Sequence, residues 1–221
     1  MSELGPAPIR NIVIVGGGSA GWMTAAALSS LLSPKATTVT LVESEQIGTI
    51  GVGEATIPDV INFNAMLGIP EADFLRATNG TFKLGIEFAN WGQVGESYLH
   101  PFGSHGADMN GIEFHLYWMR YREAHPSSSI EEFSLSDVAA KQNKFVLPEN
   151  NPRSVLSQIR YAYHFDATAY ARYLRTYAEQ RGVKRVEGKV TDVSTGSETG
   201  FITSVKLESG ETLSGDLFFD C

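Results

Sequence analysis

The residues whose types and spacing point most directly to chemistry are Gly16-Gly17-Gly18-Ser19-Ala20-Gly21, a GxGxxG turn. Gly16 permits a tight turn, and Gly18 lets the backbone come close to a pyrophosphate. Gly21 lets the following helix pack closely on the preceding strand. The amides at the start of that helix, Ala20 belonging to the same turn, would meet the anion together with the positive end of the helix dipole. Glu43 stands 22 residues beyond Gly21, about where a carboxylate accepts hydrogen bonds from a ribose. The implied chemistry is dinucleotide binding; a merely tight structural turn is the other reading.

Glycines recur in the loop Gly48-Thr49-Ile50-Gly51-Val52-Gly53-Glu54-Ala55-Thr56-Ile57-Pro58. Ordinary turns would account for them. Their interleaving with Ile50 and Val52, without the usual Asn, Asp or Ser, instead suggests backbone laid against a flat ring such as isoalloxazine. Lys83 lies in an alternating stretch: Phe82, Leu84, Ile86 and Phe88 share one side, and Lys83, Gly85, Glu87 and Ala89 the other. On pattern alone Lys83 is a lysine on a solvated strand face, with Glu87 as a companion. His100, in Tyr98-Leu99-His100-Pro101-Phe102-Gly103, reads as a packing or hydrogen-bonding residue rather than a catalyst. His105, His115 and His164 form no metal-ligand spacing with Asp or Glu. No nucleophile elbow or Ser-His-Asp pattern occurs, and Asp166 reads as a helix cap.

The elements that must position these residues follow from periodicity. Residues 10–43 predict strand, helix, strand. Short helices are expected at 59–66 and 71–78, the second with Pro70 near its first turn. A strand is expected over 82–89. From 91 to 152, Gly, His, Ser and aromatic residues mix with helices around 111–124 and 136–142. Residues 163–181 have helical spacing, with Ala167, Tyr170, Ala171, Leu174 and Ala178 on one side and Gly182 to end it. Strands are expected at 185–193, 201–208 and 212–213, and 216–221 would rejoin the main sheet. This order suits an α/β, Rossmann-like FAD-binding domain of the glutathione-reductase type, with a β-meander and a helical insertion, better than a plain six-strand NAD domain. The expected division is 1–90 as the first part of that module, 91–160 as a substrate-side insertion and 161–221 as its remainder.

A chain of 221 residues, 43% of them hydrophobic, can bury a core as one large domain or two small ones. Seventeen basic against 25 acidic residues give a net charge of −8 with no basic run. That argues against nucleic acid or an anionic membrane as partner. The single cysteine, Cys221, leaves no internal disulfide framework and fits a reducing cytoplasm. The apolar stretch 12–32 is broken by glycines and preceded only by Arg10 as positive charge, unlike a signal peptide. No other stretch is long and apolar enough to cross a membrane. The expectation is a soluble cytoplasmic protein. Asp216-Leu217-Phe218-Phe219-Asp220-Cys221 reads as a buried strand that stops without turn, cap or polar tail, which predicts the N-terminal part of a longer protein.

Five segments, 16–22 (GGGSAGW), 51–58 (GVGEATIP), 81–91 (TFKLGIEFANW), 98–103 (YLHPFG) and 161–167 (YAYHFDA), resemble the flavin-dependent halogenases of the tryptophan-halogenase type. The resemblance spans nearly the whole chain. It implies that Lys83, at the family's FK position before the NW pair, is the catalytic residue. It places Gly51, Val52, Glu54 and Ala55 near the flavin, has Val190 offer backbone bonds to adenine, and sets His100 behind the reacting groups. It further implies that a separate flavin reductase delivers FADH2, and that oxygen and halide then yield hypohalous acid in the flavin pocket. That oxidant travels through an internal tunnel to the lysine, which holds it by hydrogen bond or as a haloamine beside an electron-rich aromatic substrate. The family's tryptophan-rich WxWxIP signature and its catalytic glutamate lie beyond Cys221, so tryptophan, indole, phenol and pyrrole substrates all stay open. A flavin monooxygenase or other oxidoreductase on the same fold would keep the glycine turn and Glu43 without needing Lys83. A non-catalytic flavin-binding fragment is the third reading.

Overall fold

The computed structural model describes residues 8–47 and 53–221, with Glu54 described in its backbone alone. In chain order the elements are β1 (Asn11–Val15), α1 (Ser19–Leu31), β2 (Thr38–Glu43), β3 (Gly53–Ala55), α2 (Asp59–Met66), α3 (Glu71–Thr78), β4 (Thr81–Lys83), β5 (Gly85–Ala89) and β6 (Ser97–Pro101). They continue with α4 (Phe114–Ala124), α5 (Leu135–Lys141), β7 (Ala162–Asp166), α6 (Ala167–Glu179), β8 (Lys184–Glu187), β9 (Val190–Thr195), β10 (Ile202–Leu207), β11 (Thr212–Ser214) and β12 (Leu217–Asp220). Two compact units result, Met1–Glu54 with Ala65–Gly80 and Phe165–Cys221, and Ala55–Asn64 with Thr81–His164. Residues 1–90 are thus distributed over both.

The first unit is built on a parallel sheet of order β12-β1-β2-β8. Of its two middle strands, β1 carries an unbroken apolar run over 12–15 and β2 the apolar Val39, Leu41 and Val42 around Thr40, as expected where both faces of the sheet are covered. Ile12, Val13 and Ile14 are buried, as are Val39, Leu41 and Val42, and Ile14 stands between Leu41 and Phe219 in the ladder. Helix α1 turns Gly21, Trp22, Ala25 and Ala26 inward. It packs on α6, which buries Ala167, Tyr170, Ala171, Leu174 and Ala178. The small side chains on both helices permit a close approach of backbones. Phe74 of α3 meets Phe165 and Tyr170 edge-on, each at 5.3 Å between centroids. An antiparallel meander, β11-β10-β9, completes the unit. This is the expected α/β, Rossmann-like architecture with its meander, and β12 rejoins the main sheet beside β1 as predicted.

The second unit contains β4 paired with residues 162–164 of β7, the hairpin β5-β6, and helices α4 and α5. Helices α2 and α3 run over the residues expected for them.

Three expected elements are redrawn. The helix expected over 163–181 begins only at Ala167, because Ala162–Asp166 form strand β7, alternating in burial from Tyr163 onward, and Asp166 caps α6 by accepting from the Ala169 amide at 2.9 Å. The strand expected over 185–193 breaks at Gly188: β8 joins the parallel sheet beside β2 and β9 opens the meander. The strand expected over 82–89 breaks at Leu84, β4 pairing with β7 and β5 with β6. A strand that changes sheets restarts its alternation of faces. Lys83 and Leu84 are therefore both buried, at 7% and 8% exposure, and Phe82 is 37% exposed. The solvated face expected for Lys83 is overturned by that break.

Candidate functional site

In the first unit the chain leaves β1 at Gly16 with φ +114°, a backbone conformation that strains any residue carrying a Cβ. Gly17 and Gly21 are demanded by their neighbours. A Cβ on Gly17 would run into the Glu43 carboxylate, and one on Gly21 into the Gly16 carbonyl oxygen. Gly18 differs, for a Cβ there would meet nothing within 4 Å. It borders a cavity of about 810 Å³ that Gly16, Ala20, Glu43 and Val190 also line. Packing within the protein gives no reason for glycine at 18; close approach of a bound molecule does.

Gly18 is also the N-cap of α1, where it supplies no side-chain cap, and the first turn holds no acidic residue. The leading amides and the positive end of the helix dipole are left to an anion. Arg172, Arg175 and Arg185 line the same cavity. Glu43 is held at its rim rather than free. Its Oε2 accepts from Trp22 Nε1 at 3.2 Å and its Oε1 is bonded by Arg185 Nε, with Arg175 Nη1 at 3.5 Å. Arg185 also reaches Glu45 at 3.1 Å and Glu187 at 2.6 Å. An open glycine, an uncapped helix start, arginines and an oriented carboxylate are a donor and acceptor set that fits a dinucleotide with its diphosphate on α1.

In the second unit Lys83 ends β4, opposite Ala162 in β7. Its Nζ donates to the Thr56 carbonyl oxygen at 2.8 Å and lies 5.3 Å from the centre of the Phe102 ring. Burial pushes its pKa below the ordinary 10.5. His164, on the same sheet, is pushed below 6.5 by burial and by the Lys83 charge. An ammonium with one proton committed to a carbonyl keeps two donors for a small polar molecule. Once neutral it is also a nucleophile.

The sequence-predicted residues therefore divide. Gly16, Gly18, Ala20, Glu43 and Val190 converge on one cavity, with Gly21 packed beneath it. Ala55 is exposed in β3, and His100 is exposed on β6 opposite Ile86. Gly51 and Val52 lie outside the described residues, as does the Glu54 side chain. Sequence reasoning gave no role to Trp22, which stood inside the 16–22 motif, or to Arg175, Arg185 and Thr56. Thr56 stood inside the 51–58 motif; Arg185 lies 142 positions from Glu43, and no local pattern links them.

Comparison with known proteins gives a consistent result. A tryptophan halogenase from Streptomyces albogriseolus, the tryptophan 6-halogenase ThaL, is 36% identical over 233 residues, which cover 96% of this chain and 42% of ThaL. The tryptophan 7-halogenase RebH of Lentzea aerocolonigenes is likewise 36% identical over 96% of this chain and 42% of its own length. The solved structure of Xcc4156, a flavin-dependent halogenase from Xanthomonas campestris, superposes with a TM-score of 0.88 at 42% identity, over 97% of this chain and 42% of that one. The chain spans less than half the length of these relatives. No helix among the described residues is long and apolar enough to cross a membrane. The family model described as tryptophan halogenase matches residues 11–221, and the chain belongs to that family.

Proposed function

We propose that this chain forms the flavin-binding and lysine-bearing part of a cytoplasmic flavin-dependent halogenase acting on an electron-rich aromatic, tryptophan or a related indole. The observation that carries the reading is Lys83, a buried cation anchored at the Thr56 carbonyl. FAD, delivered reduced by a separate flavin reductase, supplies the two electrons for the reaction. FADH2, dioxygen, halide and one proton give FAD, water and hypohalous acid; the aromatic then exchanges one C–H for C–halogen and releases a second water.

The glycine turn, the α1 amides and the arginines of the cavity hold the diphosphate, Glu43 orients the ribose, and Val190 bonds the adenine through its backbone. By the family resemblance, Gly51, Val52, Glu54 and Ala55 would lie near the flavin ring. Lys83 receives the oxidant, orienting it by hydrogen bond while protonated or holding its halogen as a haloamine when neutral. His100 supports the substrate side.

The test uses the protein that carries this chain, with reduced FAD, oxygen, bromide and a mixture of tryptophan, indole and phenols. The expected outcome is a product with the bromine isotope doublet in its mass spectrum. Hydroxylated aromatics without bromine would transfer the chain to the monooxygenase reading. Tight flavin binding without turnover of any aromatic would support a non-catalytic role.

A further inference from the structure

Thr56 makes an unusual set of bonds. Its amide donates to the Tyr163 carbonyl at 3.1 Å, and its hydroxyl donates to the same oxygen at 3.0 Å. The hydroxyl in turn accepts from the Tyr163 amide at 3.2 Å. The threonine side chain thereby pairs with the β7 backbone just where β3 has ended. That triple attachment anchors residue 56 to β7 through its amide and hydroxyl, and its carbonyl faces Lys83. Lys83 reaches it from β4, on the far side of β7, and its register partner there is Ala162, fully buried and small.

We propose that Thr56 is the positioning residue of the lysine site: its hydroxyl ties residue 56 to β7, and the carbonyl so placed sets where the Lys83 ammonium stands and which two of its protons are offered. The inference rests on the role given to Lys83 above. A lysine stem has four rotatable bonds, so burial alone does not define the position of Nζ. Among the described residues, the carbonyl of Thr56 is the hydrogen-bond acceptor that does. Phe102 bounds the amine with an aromatic face and imposes little direction on it. Displacement of a reacting group by about 1 Å is enough to lose on the order of 100-fold in rate.

The experiment compares Thr56→Val, which keeps volume and branching but removes the hydroxyl, with Thr56→Ser, which keeps the hydroxyl. Both are made in the protein that carries this chain. Two readouts are taken: halogenated product per oxygen consumed, and the pH dependence of Lys83 acylation by an amine-reactive probe, followed by peptide mass spectrometry. Thr56→Val is expected to lower the product yield about 10- to 100-fold while flavin oxidation continues, and to shift the acylation profile. Thr56→Ser is expected to restore both. A Thr56→Val protein with the parent yield and acylation profile would overturn the proposal, and so would equal losses in Val and Ser variants. Lys83→Ala separates the two levels. If it leaves product formation intact, the role of Lys83 itself falls; if it abolishes product while Thr56→Val does not, only the role of Thr56 falls.

Discussion

At the β1–α1 turn the residues that shape the cavity are neighbours in sequence. Residues 16–21 carry the turn, the helix start and the packing glycine within two helical turns of one another. At the lysine site the parts come from β4, β7, the segment after β3 and the loop after β6, and Lys83 and Thr56 are 27 positions apart. The first arrangement is dictated by local backbone geometry, which a Cβ in the wrong place destroys. The second depends on a strand changing sheets at Leu84, and no local preference dictates that.

Lys83→Ala sharpens this contrast most. Product formation should fall by at least about 100-fold while FAD affinity, measured by fluorescence quenching, stays at the parent value. A parallel loss of FAD affinity would mean the two sites are not independent in energy. Next come the glycines, whose environments differ. Gly21→Val forces a side chain into the Gly16 carbonyl and should destabilise the fold by roughly 3 kcal/mol, seen as a lowered urea midpoint. Gly18→Ala points into open space and should change stability by less than about 0.5 kcal/mol, yet weaken FAD binding about tenfold. Equal effects at 18 and 21 would erase the distinction between a ligand glycine and a packing glycine.

Arg185→Met leaves the Glu43 carboxylate, 15% exposed, without its main cation. It should cost about 1–3 kcal/mol and loosen ribose recognition, and calorimetry of FAD binding would detect the latter. The smallest effect concerns pH. Burial lowers the Lys83 pKa in the folded state, whereas the unfolded chain keeps about 10.5. Between those two values the unfolded chain binds more protons, so stability attributable to Lys83 rises with pH across that interval and is flat below it. Subtracting the profile of Lys83→Met from that of the parent isolates this rise; a flat difference would mean the amine is not desolvated.

Much of the first unit was legible because its signals are short-ranged. The apolar run 12–15, the glycines of the turn and the spacing of Ala167, Tyr170, Ala171, Leu174 and Ala178 each announce one element. Glu43 was recognisable as a residue at the right distance from the turn. Its bonds to Trp22 and Arg185 were not, since strand β8 reaches β2 only through the parallel sheet. The error over 82–89 has the same origin. Perfect period-two alternation describes one strand on one sheet, and the chain uses those residues for two.

What the sequence by itself determined is the nucleotide-binding frame: strand, glycine turn, helix, strand and a later meander, each an outcome of backbone sterics and periodic burial within a few residues. The family motifs also singled out Lys83. Only the tertiary structure decided that Lys83 is buried, that the carbonyl of Thr56 accepts its hydrogen bond, and that Arg185 holds Glu43. Those outcomes depend on which strands pair, and strand pairing is settled by contacts between residues far apart in the chain.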